Sequence, residues 1–217
     1  VNDGPHVDEV ALSGEELARI ADVFTSSGVV LKGELEARLI VGGRSNLTFR
    51  LTDGAQSWVM RTPPRAGRTP SAHDVAREFR ITSALTATDV PVPPPVLLCE
   101  DDAVIGGPFA VAHFVPGVTI QTRTQIEELP RAQVDATVKT LISTLAALHS
   151  IDQQAVGLGD FGASEGYAQR QLKRWSGQWR VVGEAFPDDV KHSAARLAEA
   201  LGSALPEQRV ASIVHGD

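Results

Sequence analysis

The sequence predicts an α+β chain of two lobes, β-rich over residues 1–115 and helical over 116–217. Three observations predict it. Leu47, Phe49 and Leu51 alternate with Thr48 and Arg50, the period of a half-buried strand. The run "VPVPPP" at 90–95 cannot be helical and acts as a stiff extended connector. Further on, Val134, Val138, Leu141, Leu145 and Leu148 step by four, three, four and three, which makes one apolar helix stripe.

Each element has its own local reason. In "LSGEELARIADVF" (12–24), Ser13 is an N-cap and Glu16 closes a capping box, while Leu12 can staple to Leu17. Leu17, Ile20, Ala21 and Phe24 form the inner stripe, and Gly28 is a plausible stop. Residues 36–61 read as three antiparallel strands, with "GGRSN" between the first two and the turn dipeptide Asp53-Gly54 before the third. A loop rich in Pro, Arg and Gly leads to a helix over 72–85, "AHDVAREFRITSAL". "VLLCE" and "PFAVAHFV" are two more strands joined by "DDAVIGG", and Pro116-Gly117 breaks the second. Helices then dominate, at 134–148, 166–182 and 188–201. A short strand, "ASIV" (211–214), is expected just before the final "HGD".

Bulk properties narrow the function. The chain has 217 residues, 42% hydrophobic and 22% charged, so it can bury a real core. A net charge of −7 argues against non-specific nucleic-acid binding, which needs a basic footprint. No apolar run approaches the roughly 20 residues of a membrane span, and no signal peptide is visible. The lone Cys99 sits in an apolar run and reads as a small buried hydrophobe, which favours a cytoplasmic protein. The six histidines show no paired ligand spacing, so no metal site is expected from them. Trp175 and Trp179 lie four apart among Arg170, Lys173, Arg174 and Arg180. They are either packing beside a solvated basic face or a wall for an anionic or acyl substrate.

Four features gain meaning from their order: strand–GGRSN–strand, "WVMR", "HDVAREFR" and the terminal "VHGD". A loop between two strands can lay backbone N–H groups along phosphates. A cation on the third strand can reach them, and a carboxylate on the next helix can hold that cation. An Asp after a later strand can orient a hydroxyl for attack. This is the protein-kinase arrangement for phosphoryl transfer.

With "VHGD", "WVMRTPP", "REFRITSAL", "VAHFVPG", "LAALHSID", "GLGDFG" and "QRQLKRWSGQW", the chain resembles the aminoglycoside phosphotransferase family of small-molecule kinases over roughly 30–217. Within it, the chain is similar to the branch fused to acyl-CoA dehydrogenases. The resemblance implies a bilobal kinase-like fold whose helical lobe is incomplete in this chain. It implies ATP and Mg²⁺ as cofactors, and a small-molecule hydroxyl as acceptor. By the same resemblance, Gly43, Arg44, Ser45 and Asn46 cover phosphates, Arg61 is the phosphate cation and Glu78 its helix partner. Backbone groups of His113 and Val115 would bond adenine at the interlobe hinge. Asp217 is the catalytic Asp, and His215 supports its loop. The branch points to a hydroxy acid or hydroxyacyl-CoA acceptor and an association with acyl-CoA metabolism. An aminoglycoside acceptor, or a non-catalytic nucleotide-binding pseudokinase partnering an acyl-CoA dehydrogenase, are the alternatives.

Two departures stand out. The family's phosphate cation is usually Lys, whereas here it is Arg61, and Lys32 is the only lysine before Lys139. Arg offers a planar fork that suits phosphate and carboxylate together, but the two residues are not interchangeable. The family pattern also continues past His-Gly-Asp with four variable residues, an Asn and a later acidic metal ligand, none of which lies within 1–217. The expectation is therefore a piece of a longer protein, with a truncated pseudokinase as the alternative.

Overall fold

Strands β1 (Glu36–Leu39), β2 (Leu47–Thr52), β3 (Ser57–Thr62), β4 (Pro95–Cys99) and β5 (Phe109–His113) form one sheet in the order β1-β2-β3-β5-β4. Every neighbouring pair is antiparallel. The computed structural model describes residues 11–40, 46–64 and 74–214. The chain divides into two compact units, 1–144 and 145–217.

The period of two along each strand sorts the side chains onto two faces. Leu39, Phe49, Met60, Val111 and Leu97 stand opposite one another across all five strands. Phe49, Met60 and Val111 in this row are essentially inaccessible to solvent. Helix α1 (Gly14–Ser26) packs on this face through Ile20 and Phe24, with the Phe24 ring edge-on to Trp58 at 5.1 Å. The expected capping box is present: Ser13 N–H donates to Glu16 at 2.8 Å, and Glu16 N–H donates to Ser13 Oγ at 3.2 Å. Gly28, at φ +83°, ends the helix in the left-handed conformation that glycine adopts without a Cβ penalty. Arg19 Nε donates to the Val104 carbonyl at 2.7 Å, which ties α1 to helix α3 (Asp102–Ile105).

The connection 101–107 joins two strands that do pair, and it holds a helical turn within it. Asp101 caps that turn by accepting from Ala103 N–H at 2.9 Å, and Val104 and Ile105 bury themselves against the core. Cys99 is buried beside them, as its apolar setting predicts. The proline block feeds into β4 at its first residue, Pro95. A strand at the sheet edge tolerates that loss of a donor.

The opposite face carries Thr48, Arg61, Ala110 and Leu98 in one row. Helix α2 (Val75–Leu85) packs beside β4 and β5. Asp74 caps it by accepting from Arg77 N–H at 2.8 Å. Helices α4 (Arg123–Glu127) and α5 (Arg131–His149) follow, and the boundary between the two units falls within α5. The expected apolar stripe of α5 is helical but open: Val138 and Leu141 are about half exposed among the described residues.

In the second unit, α6 (Tyr167–Val182) and α7 (Asp188–Ser203) pack against each other around a short 3₁₀ turn at Gly183–Ala185. Trp179 stacks on Phe186 at 5.2 Å, whereas Trp175 is 61% exposed with the Arg174 guanidinium 5.9 Å from its ring. The pair thus splits, one ring packing and the other facing solvent. The strand expected at 211–214 does not form. A strand needs a neighbouring edge to complete its hydrogen bonds, and no described residue pairs with this segment. Instead, Gln208 accepts from Tyr167 N–H at 3.1 Å and donates to the Ser164 carbonyl, holding this stretch at the start of α6.

Candidate nucleotide site

Arg61 and Glu78 meet across the sheet face opposite α1. Arg61 sits on β3, where the strand's alternation turns it away from the Trp58–Met60 side. Glu78 lies in the first turn of α2. Arg61 Nη1 stands 3.2 Å from Glu78 Oε2, with the two side chains 44% and 41% exposed. A half-exposed ion pair contributes at most about 1 kcal/mol to stability. The pair fixes where the guanidinium points more than it stabilises the fold. Among the described residues, Glu78 is the one partner of that guanidinium, so its other N–H groups remain for an anion.

Asn46 completes the cluster. Its amide nitrogen donates to Glu78 Oε1 at 3.1 Å, and the residue is 5% exposed. Each oxygen of Glu78 thus has its own donor, Arg61 on one and Asn46 on the other. The family resemblance assigned Asn46 to the phosphate-covering loop and gave no hint of this bond. The strand period is the part of the signal the sequence held: Asn46 lies two residues before Thr48, and the structure, by setting Thr48 opposite Arg61, puts Asn46 on that face.

The hinge expected at 113–115 follows β5 directly. His113 N–H donates to the Pro94 carbonyl at 2.9 Å, and Phe114 N–H donates to the Ser57 carbonyl at 3.1 Å. Val115 is exposed, and its N–H has no hydrogen-bond partner among the described residues. The Arg50 guanidinium lies over the Phe114 ring and donates to Ser57 Oγ at 3.2 Å. Residues Gly43, Arg44, Ser45, His215 and Asp217 lie outside the described residues. The structure therefore brings Arg61, Glu78 and Asn46 together and places His113 and Val115 at the end of β5.

The profile described as "Phosphotransferase enzyme family" matches residues 36–217, most of the chain. The chain belongs to the phosphotransferase enzyme family. Among its relatives, acyl-CoA dehydrogenase family member 11 of Gallus gallus is 35% identical over 185 residues, covering 85% of this chain and 23% of that protein. Acyl-CoA dehydrogenase family member 10 of Mus musculus is 34% identical over 185 residues, covering 85% of this chain and 17% of that protein. The chain thus spans a quarter or less of these relatives and corresponds to a kinase-like domain within them. A crystal structure of a candidate aminoglycoside phosphotransferase from Ralstonia eutropha superposes with a TM-score of 0.74 at 33% identity, covering 92% of this chain and 57% of that one. Aminoglycoside 2′-phosphotransferase-IIIa, in complex with GDP, shares the fold at a TM-score of 0.57 and 14% identity, covering 87% of this chain and 60% of that one. The mixed α+β architecture with its antiparallel sheet is the kinase-like fold of these phosphotransferases.

Proposed function

We propose that the protein is an ATP-dependent phosphotransferase that moves a phosphoryl group to a hydroxyl of a small molecule, with residues 1–115 as the nucleotide-binding lobe. The observation that carries this reading is the Arg61–Glu78 pair at 3.2 Å, on the strand and helix where this family's kinases keep a phosphate cation and its partner. The residues fit a nucleotide. Arg61 has spare N–H groups on a half-exposed guanidinium, and the Val115 N–H is unpaired among the described residues.

In this reading Arg61 binds phosphate oxygens, while Glu78 keeps its guanidinium from swinging into solvent. Gly43, Arg44 and Ser45 cover the phosphates. The Val115 N–H and the His113 carbonyl bond the adenine edge, since the His113 N–H is already given to Pro94. ATP with Mg²⁺ supplies the transferable phosphoryl group and neutralises its charge. Asp217 orients the acceptor hydroxyl and takes its proton. Positioning and charge complementarity then supply most of the acceleration. The acceptor class we favour is a hydroxy acid or hydroxyacyl-CoA, supported by the acyl-CoA dehydrogenase relatives. Arg in place of the family's Lys favours one other reading, a nucleotide-binding pseudokinase.

The test is a steady-state phosphorylation assay of the purified full-length protein against hydroxyacyl-CoA and aminoglycoside panels, paired with calorimetric ATP binding. Asp217→Asn keeps the size of the side chain but loses the charge that draws the proton. It should lower kcat by about 10²–10⁴-fold and leave ATP affinity unchanged. Phosphate transfer to no acceptor, with ATP still bound, would favour the pseudokinase. Full activity of Asp217→Asn would show that another group takes the proton.

A further inference from the structure

We propose that Asn46 is a positioning residue for nucleotide binding, acting through Glu78 and not on the ligand. The inference rests on the reading of Arg61 as the phosphate cation. Its geometric basis is the shared carboxylate: Asn46 Nδ2 holds Glu78 Oε1 at 3.1 Å while Arg61 Nη1 holds Oε2 at 3.2 Å. An ionised carboxylate only accepts hydrogen bonds, so the Asn46 amide must turn its nitrogen toward it.

The exposures explain why such a tether matters. Glu78 and Arg61 are each about two-fifths exposed, and both are long side chains with many rotamers open to them. Water competes for both charges, so the ion pair by itself selects one geometry weakly. Asn46 is 5% exposed and immediately precedes β2, so it is the most constrained member of the three. Its bond to Glu78 orients the carboxylate and leaves the other oxygen aimed at Arg61. Neutrality is part of the design. A lysine at 46 would neutralise Glu78 and release Arg61, and an aspartate would repel Glu78. A carboxamide orients the carboxylate without competing for its charge. Arg61 can then give one arm of its fork to Glu78 and present the rest to an anionic oxygen.

A double-mutant cycle on the full-length protein tests this, read by calorimetric titration with ATP in the presence of Mg²⁺. Asn46→Ala should weaken ATP binding about tenfold, the worth of a hydrogen bond to a charged group. In a Glu78→Ala background the same change should cost less than about twofold, because the Asn46–Glu78 tether is then already gone. Asn46→Asp, nearly identical in shape, should weaken binding at least as much as Asn46→Ala, and it serves the cycle if the alanine variant unfolds. Equal losses in both backgrounds would overturn the assignment, since Asn46 would then act on the ligand or on the fold at large. So would unchanged affinity of both Asn46 variants. If the wild-type protein binds no ATP, the nucleotide reading itself falls and takes this assignment with it. Additive losses on a wild-type protein that binds ATP remove the Asn46 assignment alone.

Discussion

The guanidinium of Arg50 stands 4.4 Å from the centroid of the Phe114 ring, fastening the segment after β5 to β2 on the far side of β3. Arg50 also donates to Ser57 Oγ, and the Phe114 N–H donates to the Ser57 carbonyl, so three contacts converge at one strand start. In the proposed function this segment is the hinge that carries the adenine contacts. Its conformation is set by a surface cation as much as by the sheet.

Arg50→Ala should therefore loosen the hinge. The expected loss is about 1 kcal/mol of stability, from the stack and its hydrogen bond. Arg50→Lys keeps the charge but not the planar stack and should recover only part of it. Urea unfolding of the three proteins checks the order wild type, Lys, Ala. ATP affinity should follow the same order, and an inverted order would remove Arg50 as a hinge anchor.

Glu78→Gln separates position from stability. The amide oxygen of Gln can still accept from Asn46, so the tether survives while the charge facing Arg61 is lost. A half-exposed ion pair contributes little, so Tm should stay within about 4 °C of wild type. The KM for ATP should rise about tenfold, as a charge-assisted contact is lost. A large fall in Tm with unchanged KM would make the pair structural.

Asp53 gives a pH prediction. Its carboxylate accepts from the Lys32 N–H at 2.8 Å, and from the Gln56 N–H at 2.7 Å and the Ala55 N–H at 2.9 Å. These bonds, that from Lys32 foremost, hold its pKa below the ordinary 3.8. A carboxyl whose folded pKa is depressed stabilises the fold above its unfolded pKa. That stabilisation is lost as pH falls through the lower folded value. Asp53→Asn should thus be less stable than wild type at neutral pH, and the gap should close on acidification below about pH 4. Urea midpoints measured from pH 7 down to pH 3 check this; a gap that widens on acidification would contradict it.

Gly33 touches the same turn. A Cβ at this position would lie 2.7 Å from the Asp53 carbonyl oxygen, a backbone atom that cannot swing aside. Gly33→Ala should cost about 1–3 kcal/mol, as overpacking does. Gly14→Ala is the control, since its Cβ would meet nothing within 4 Å. Equal urea midpoints for the two variants would show that the 30–34 segment gives way freely.

Much of this molecule is written locally. The capping box of Ser13 and Glu16, the Gly28 stop, the Asp53-Gly54 turn and the strand alternation at 47–51 all depend on neighbours a few residues away, and each is present as read. The candidate ion pair was legible too, because the order of strand cation and helix carboxylate repeats a known arrangement. The single helical turn at Asp102–Ile105 was not, since it rests on burying Val104 and Ile105 against a core built by distant strands. The strand expected at 211–214 failed for the converse reason: alternation supplies a strand's face but not the neighbour that completes its hydrogen bonds.

The sequence by itself determined most of the elements, the cap of α1, the alternation of β2 and the residue types able to meet a phosphate. Only the tertiary structure decided which donor each oxygen of Glu78 receives. That choice depends on bringing Asn46, just before β2, and Arg61 of β3 within 3.2 Å of one carboxylate on α2, and Asn46 and Glu78 are 32 positions apart in the chain. Local propensity carries no term for such a distance; it is set by how the helix packs on the sheet.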